Sequence, residues 1–208
     1  MKLSGAYSFE APRTQVWEAL FDPVILASVM PGCEKLELIG EQEYEGILKI
    51  KVGPVQGKFN GKIKLTDIEE PDRYNMEIDG RGAPGFVKAT AKVWLTEEEG
   101  KTVLNYDSDA KVGGRVATVG QRLLDSSAKA ITKQSLEGLS SVINSRAEAE
   151  VTGEEPAPVE APSQSEFAAN VAKEVARDLV PVPKKPLVVG VAVVAVLAAL
   201  FAFFSSSS

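Results

Sequence analysis

Histidine is absent from this 208-residue chain, and cysteine occurs once, at Cys33. The missing imidazole removes the usual general base near neutral pH and the commonest metal ligand. Ser-His-Asp and Cys-His nucleophilic arrangements are therefore excluded, and a zinc site would need carboxylates almost alone. A carboxylate, lysine or tyrosine site stays open. The lone thiol has no partner for an internal disulfide, which fits a reducing compartment, and Cys33 reads as a small buried or loop residue. Basic charge is in deficit as well: 23 Lys and Arg stand against 29 Asp and Glu, a net charge of −6 that makes nucleic acid a poor partner. Lys58, Lys62 and Lys64 cluster, but they alternate on one side of a strand and read as a solvated sheet face. The opening MKLSGAYSFEAPR has no apolar core, so no secretory signal is expected.

What the chain does contain is a run of 18 residues, Leu187 to Phe204, without a charge or a strong hydrogen-bonding side chain. As a helix rising ~1.5 Å per residue it reaches about 27 Å, close to the ~30 Å hydrocarbon thickness of a bilayer. Residues 187–204 are thus expected to form one C-terminal transmembrane anchor. Lys184 and Lys185 precede the run and no positive charge follows it, which places the N-terminal bulk in the cytoplasm. Residues 150–186, rich in Pro, Ala, Glu and Ser, read as a flexible linker. Within it Ser163 and Glu166 have capping-box spacing, and Phe167, Val171, Val175 and Leu179 recur every four residues before Pro181. A short amphipathic helix is expected over 164–180, either without a partner or docked on a membrane or protein surface.

Residues 1–149 are left to form one domain. Leu3 to Glu10 alternates as a strand; Trp17, Leu20 and Phe21 give one apolar side to a short helix entered through Pro12. Asp22-Pro23 starts a second short helix that Pro31-Gly32 ends. From Cys33 to Val112 the period is two, giving strands near Glu34–Ile39, Tyr44–Val52, Gln56–Glu69, Arg73–Gly80, Val87–Thr96 and Thr102–Val112. Gly40-Glu41, Gly53-Pro54, Glu70-Pro71-Asp72 and Glu99-Gly100 suit hairpins between them. After Gly113-Gly114 the period returns to about 3.6, with a stripe through Val116, Val119, Leu123, Ala130, Leu136, Leu139, Val142 and Ile143 that predicts one long helix to about Glu148. The expected class is α+β, a curved antiparallel seven-strand sheet around a long C-terminal helix.

Such a sheet leaves a gap where inward side chains are small, and Ala89 and Ala91 fall inward, expected opposite Gly61. Bulky neighbours of the same parity compete to fill that gap. The candidate lining is Met30, Ile50, Val55, Phe59, Gly61, Tyr74, Met76, Phe86, Ala89, Ala91, Val93, Leu104, Tyr106, Val116, Val119 and Leu123, with a mouth near Val55, Phe86 and the start of the last helix. Asp107 and Asp109 fall on the outward parity, so a catalytic carboxylate site and enzymatic activity are not expected.

Three motifs carry a resemblance: Met30-Pro31-Gly32-Cys33, the run VGPVQGKFNG from Val52 to Gly61, and GRVATVGQRLLD from Gly114 to Asp125. Their order and spacing are similar to the CoxG family of carbon monoxide dehydrogenase, across essentially all of residues 1 to 145. The resemblance implies the helix-grip fold of the START-like superfamily. It further implies an accessory protein for a molybdenum-containing carbon monoxide dehydrogenase or a related respiratory oxidoreductase, acting in membrane attachment and holding no redox centre. The family pattern often places two aromatics late in the final helix, where this chain has Ser135-Leu136. With the anchor and the apolar gap, the expected cargo is a quinone or a similar isoprenoid or acyl lipid, presented to a dehydrogenase on the cytoplasmic side. The alternatives are a recruitment adaptor without a ligand, and an enzyme of cyclase or hydrolase type.

Overall fold

Period-two alternation builds seven strands: β1 (Lys2–Phe9), β2 (Cys33–Gly40), β3 (Glu43–Val52), β4 (Val55–Glu69), β5 (Arg73–Gly82), β6 (Gly85–Glu98) and β7 (Lys101–Gly114). Between β1 and β2 lie α1 (Arg13–Phe21) and α2 (Pro23–Val29); after β7 come a 3-10 turn (Arg115–Val119) and α3 (Gln121–Thr152). This computed structural model describes residues 1–52 and 54–152, apart from the side chains of residues 50–52 and 150–152. The linker beyond residue 152, the expected 164–180 helix and the expected 187–204 anchor lie outside the described residues. Among the described residues no helix is long and apolar enough to cross a membrane.

The strands form one antiparallel sheet in the order β1-β7-β6-β5-β4-β3-β2. Six strands follow one another as a meander, and β1 pairs along β7 from Lys2↔Asp109 to Phe9↔Thr102. Inward residues such as Phe59, Leu65, Met76, Val93 and Leu104 are buried against Val16, Trp17 and Leu20 of α1, Ile25, Leu26 and Val29 of α2, and Ile131, Leu136 and Leu139 of α3. Each such side chain contributes about 1.5–3 kcal/mol relative to exposure. Local chemistry sets the helix starts. The Asp22 carboxylate accepts hydrogen bonds from the Val24 amide at 2.8 Å and the Ile25 amide at 3.2 Å, ahead of a first turn that begins at Pro23.

The predicted single helix from Val116 is two elements. Gly120 at φ 91° separates the 3-10 turn from α3, a backbone conformation that glycine takes without steric cost. Val116 and Val119 stand three residues apart, and a 3-10 turn satisfies that spacing as well as an α-helix does.

The two ends of the sheet differ. At one end lie the β2–β3, β4–β5 and β6–β7 turns together with the start of α1. The other end finishes in a row crossing six strands, Cys33↔Leu48↔Phe59↔Gly82↔Gly85↔Gly114. The Met30–Gly32 turn and the 3-10 turn adjoin that row in sequence, and the Arg115 amide donates to the Pro84 carbonyl at 2.8 Å, tying the 3-10 turn to the β5–β6 tip.

Candidate ligand-binding site

Three glycines stand side by side on the inner face of the sheet. Gly46 pairs with Gly61, Gly61 with Gly80, and the row continues to Val87. Directly opposed residues share a face, so β3, β4 and β5 present no side chain along this row. Gly80 is buried, yet a Cβ built on it would meet no heavy atom within 4 Å. Open space therefore lies inside the sheet at this point. Gly82, one inward position along, is the reverse: its Cβ would lie 2.7 Å from both Phe59 Cε1 and the Lys58 carbonyl oxygen, so the Phe59 ring lies across it. Register bounds the room over Gly80 by Ile78 and Phe59 along the strands and by Val87 across them. These three are at most 3% exposed, so the room is closed to solvent on those sides. Towards α1 and α2 a pocket of about 20 Å³ is lined by Leu20, Leu26, Leu36, Tyr44, Ile63, Leu65, Tyr74 and Met76, enough for one water and far too small for a lipid.

The sequence-predicted residues divide by place. Met30, Phe59, Gly61 and Val116 are buried at the glycine-rich end, and Val55, Val119 and Leu123 are half-buried against the core near it. Ala89 and Ala91 point inward, but they face Ile78 and Met76; the partners of Gly61 are Gly46 and Gly80. Phe86 sits on the outer face of β6, 44% exposed, its ring over Gly113, whose Cβ would lie 2.4 Å from Phe86 Cε1. Tyr74, Val93 and Tyr106 share a row six residues from Gly80, ~20 Å along the strand, and Leu104 lies beyond them. Tyr74 meets Trp17 and Phe21 edge-on at 5.6 and 5.2 Å, and the Tyr106 ring covers Gly5, so these four residues belong to the core around α1 rather than to the room over Gly80. Ile50 lies in β3, and its side chain is outside the described residues. The glycine row itself was the signal to find. Gly46 and Gly61 are equidistant from the Gly53-Pro54 turn, so a hairpin there must pair them.

Five buried side-chain polar atoms of the described residues have no hydrogen-bond partner. The Tyr74 hydroxyl is buried without a hydrogen bond, and burial, with a smaller contribution from Tyr44, raises its pKa well above the usual phenol value. Tyr44 donates to the Phe21 carbonyl at 3.1 Å. On α3, Ser127 Oγ, Thr132 Oγ1, Gln134 Oε1 and Ser135 Oγ are likewise buried and unpaired. Ser135 and Leu136 are both fully buried. Asp107 and Asp109 are exposed on the outer face. Among the described residues no group of three His, Cys, Asp or Glu is placed to hold a metal.

The outer face carries an open trough of about 550 Å³, lined in part by Lys62, Lys64, Glu77, Asp79, Lys88 and Asp109. Opposite charges are paired across the strands, as in Lys62↔Asp79↔Lys88 and Glu43↔Lys64↔Glu77, with ion pairs of 3.6 Å for Lys64–Glu43 and 3.4 Å for Lys88–Asp79, and only Lys88↔Lys111 sets like charges opposite each other among the trough residues. Exposed pairs of this kind stabilise by well under about 1 kcal/mol each, so the trough is a solvated, self-neutralising surface.

Cys33 is partly buried and its thiol lies 3.5 Å from the Lys35 carbonyl oxygen. Burial foremost, and the nearby Glu34 carboxylate, push its pKa up to about 11 against the Lys35 contact, which lowers it. Thiolate is the reacting species, so alkylation of the folded protein at pH 8 should be at least about tenfold slower than in the urea-unfolded chain. Equal rates by mass spectrometry would show the thiol to be free in solution.

The sequence profile of the carbon monoxide dehydrogenase CoxG family matches residues 5–144. The chain belongs to this family. A conserved protein from Geobacillus kaustophilus of solved structure is 36% identical to this CoxG-family chain, covering 72% of it and 97% of its own length, with a TM-score of 0.67. The Zhui aromatase/cyclase from Streptomyces sp. R1128 is 16% identical over 72% of this chain and 97% of its own, with a TM-score of 0.54. A START superfamily protein from Mycobacterium smegmatis is 11% identical over 72% and 98%, with a TM-score of 0.50. The last two likenesses show the fold alone, and it is the START-like helix-grip fold of a seven-strand antiparallel sheet with a long C-terminal helix. No curated protein matches the chain.

Proposed function

We propose that this CoxG-family domain carries an apolar, lipid-derived molecule beneath α3, a quinone or a similar isoprenoid or acyl lipid. In this reading it presents that cargo to a carbon monoxide dehydrogenase or a related oxidoreductase on the cytoplasmic side of a membrane. The observation that carries it is Gly80, buried in a row of three glycines and facing open interior space. Residues 187–204 anchor the chain, and the linker before them lets the domain leave the bilayer and return. Each CH₂ taken from water favours binding by about 0.8 kcal/mol, but the bilayer offers the same gain, so transfer between membrane and protein is near-neutral exchange. Unpaired Ser127 and Ser135 hydroxyls on α3 are donors that a carbonyl-bearing head group would satisfy. The domain performs no chemistry on its cargo: the chain has no histidine, and Asp107 and Asp109 face outward.

Ile78, Phe59 and Val87 close the room on three sides, and in this reading loading requires the loops around Gly82–Gly85 and Gly114–Gly120 to part. Full-length protein, extracted and stripped of lipid, should acquire about one quinone per chain from quinone-containing vesicles, read by native mass spectrometry. Protein that stays empty at every vesicle concentration would remove the carrier and leave a recruitment adaptor that binds its enzyme by its surface.

A further inference from the structure

The charges of the domain are sorted by end. The turns at the α1 end carry Glu69, Glu70, Asp72, Glu97, Glu98 and Glu99, answered by Arg13, Arg73 and Lys101. At the glycine-rich end stand Lys49, Lys58, Arg81, Arg115 and Arg122. The acids there are Glu34, 2.7 Å from Lys58, Asp79, which accepts from Arg81 at 3.0 and 3.2 Å, and Asp125. These pairs are exposed and weak: the Lys58 and Arg81 side chains are 61% and 70% accessible. The amino end of α3, a 32-residue helix, adds partial positive charge on the same side. Among these cations Phe86 faces solvent, and Val55 and Val119, which pack on the core, are partly exposed at the same end.

We propose that this end docks directly on an anionic bilayer surface. Phe86 and its apolar neighbours seat among the head groups, Lys49, Lys58 and Arg81 face lipid phosphates, and the acidic end is turned away by repulsion. The inference rests on the lipid-carrier reading for its purpose, since it places the loops that must part against the source of the cargo. A tether brings the domain near the membrane but gives it no orientation; the charge separation does. A bilayer fits better than a protein partner because the apolar area is small, broken by glycine loops and ringed by cations on exposed side chains.

Residues 1–152 are suited to the test, because the Geobacillus kaustophilus structure is matched over 97% of its own length by 72% of this chain. Sedimentation with vesicles of phosphatidylcholine alone should leave the domain in solution. Vesicles with 30% phosphatidylglycerol should bind it about tenfold or more tightly, and 1 M salt should release it. Arg81→Glu and Lys49→Glu should each lower partitioning by about fivefold or more, Phe86→Ser should lower it at unchanged melting temperature, and Glu98→Lys should not lower it. Equal sedimentation with neutral vesicles, no binding to anionic ones, or indifference to Lys49→Glu in a folded protein overturns the proposal. Native mass spectrometry of the same samples separates the two ideas: a domain that fills with quinone yet ignores anionic vesicles loses the docking surface and keeps the carrier, while one that docks and stays empty does the opposite. A domain that ignores vesicles but binds purified dehydrogenase through Arg81 assigns the surface to a protein and likewise overturns it.

Discussion

Gly80→Phe should abolish lipid uptake while leaving the domain folded, and Gly80→Ala should leave it as stable as before or more so. The open space over Gly80 receives a Cβ without contact within 4 Å, and the residue is not in the left-handed region, so alanine gains the usual strand advantage over glycine of about 0.5–1 kcal/mol. A phenyl ring at the same position points into the room that the cargo is proposed to occupy. Gly82→Ala is the control. Its Cβ would lie 2.7 Å from the Phe59 ring and from a backbone oxygen, and overpacking of that kind costs about 1–3 kcal/mol. Thermal unfolding should thus separate two glycines that stand two residues apart on the same face of the same strand. Quinone uptake by Gly80→Phe at the level of the unaltered protein would place the ligand elsewhere, and a Gly80→Ala variant as damaged as Gly82→Ala would show the room to be filled.

Much of this architecture is legible in the residues, and the exceptions have a common cause. Alternation identifies Phe59, Gly61, Ile63 and Leu65 as one inward set on β4, and burial follows that set residue by residue. Asp22-Pro23 announces the start of α2, and its carboxylate makes the capping bonds. Register is harder. β3 and β4 pair symmetrically about their turn, so Gly46↔Gly61 follows from the position of Gly53-Pro54. Between β4 and β5 the pairing shifts across Thr66–Glu69, where Asp67 takes φ 50°, and no residue pattern marks that shift. Without it the partner of Gly61 cannot be located, and Ala89 and Ala91 stand in for it.

The other misplacements arise because burial and residue type do not say what lies above a side chain. Tyr74 and Tyr106 are inward and large, as a cavity lining would be, but α1 covers the first and Gly5 accepts the second. Phe86 is aromatic and near the mouth in sequence, yet parity puts Val87 inward and Phe86 outside. Its position on the outer surface suits contact with a membrane better than contact with a cargo, and this turns a misplaced lining residue into part of the docking surface.

Gly114→Ala should be far more damaging than an ordinary glycine-to-alanine change, and its damage should be concentrated at the mouth. Gly114 has φ 95°, which costs a residue with a Cβ about 1–2 kcal/mol, and that Cβ would lie 2.3 Å from the Pro84 carbonyl oxygen and 2.5 Å from Gly85 Cα. Backbone cannot rotate away as a side chain can, so the β5–β6 tip must shift, for a combined loss of about 3–5 kcal/mol. The melting temperature should fall by roughly 10–15 °C for a domain of this size. Gly120→Ala isolates the conformational part: Gly120 has φ 91° but open space around its Cβ position, so it should lose only about 1–2 kcal/mol. The difference between the two variants measures the contact between the β5–β6 tip and the end of β7. That contact must open if the walls around Gly80 are to admit a lipid, so a Gly114→Ala protein that still folds at low temperature should exchange quinone faster than the unaltered domain. Equal melting losses for the two variants would mean the tips do not touch, and slower exchange by Gly114→Ala would mean the cargo passes by another route.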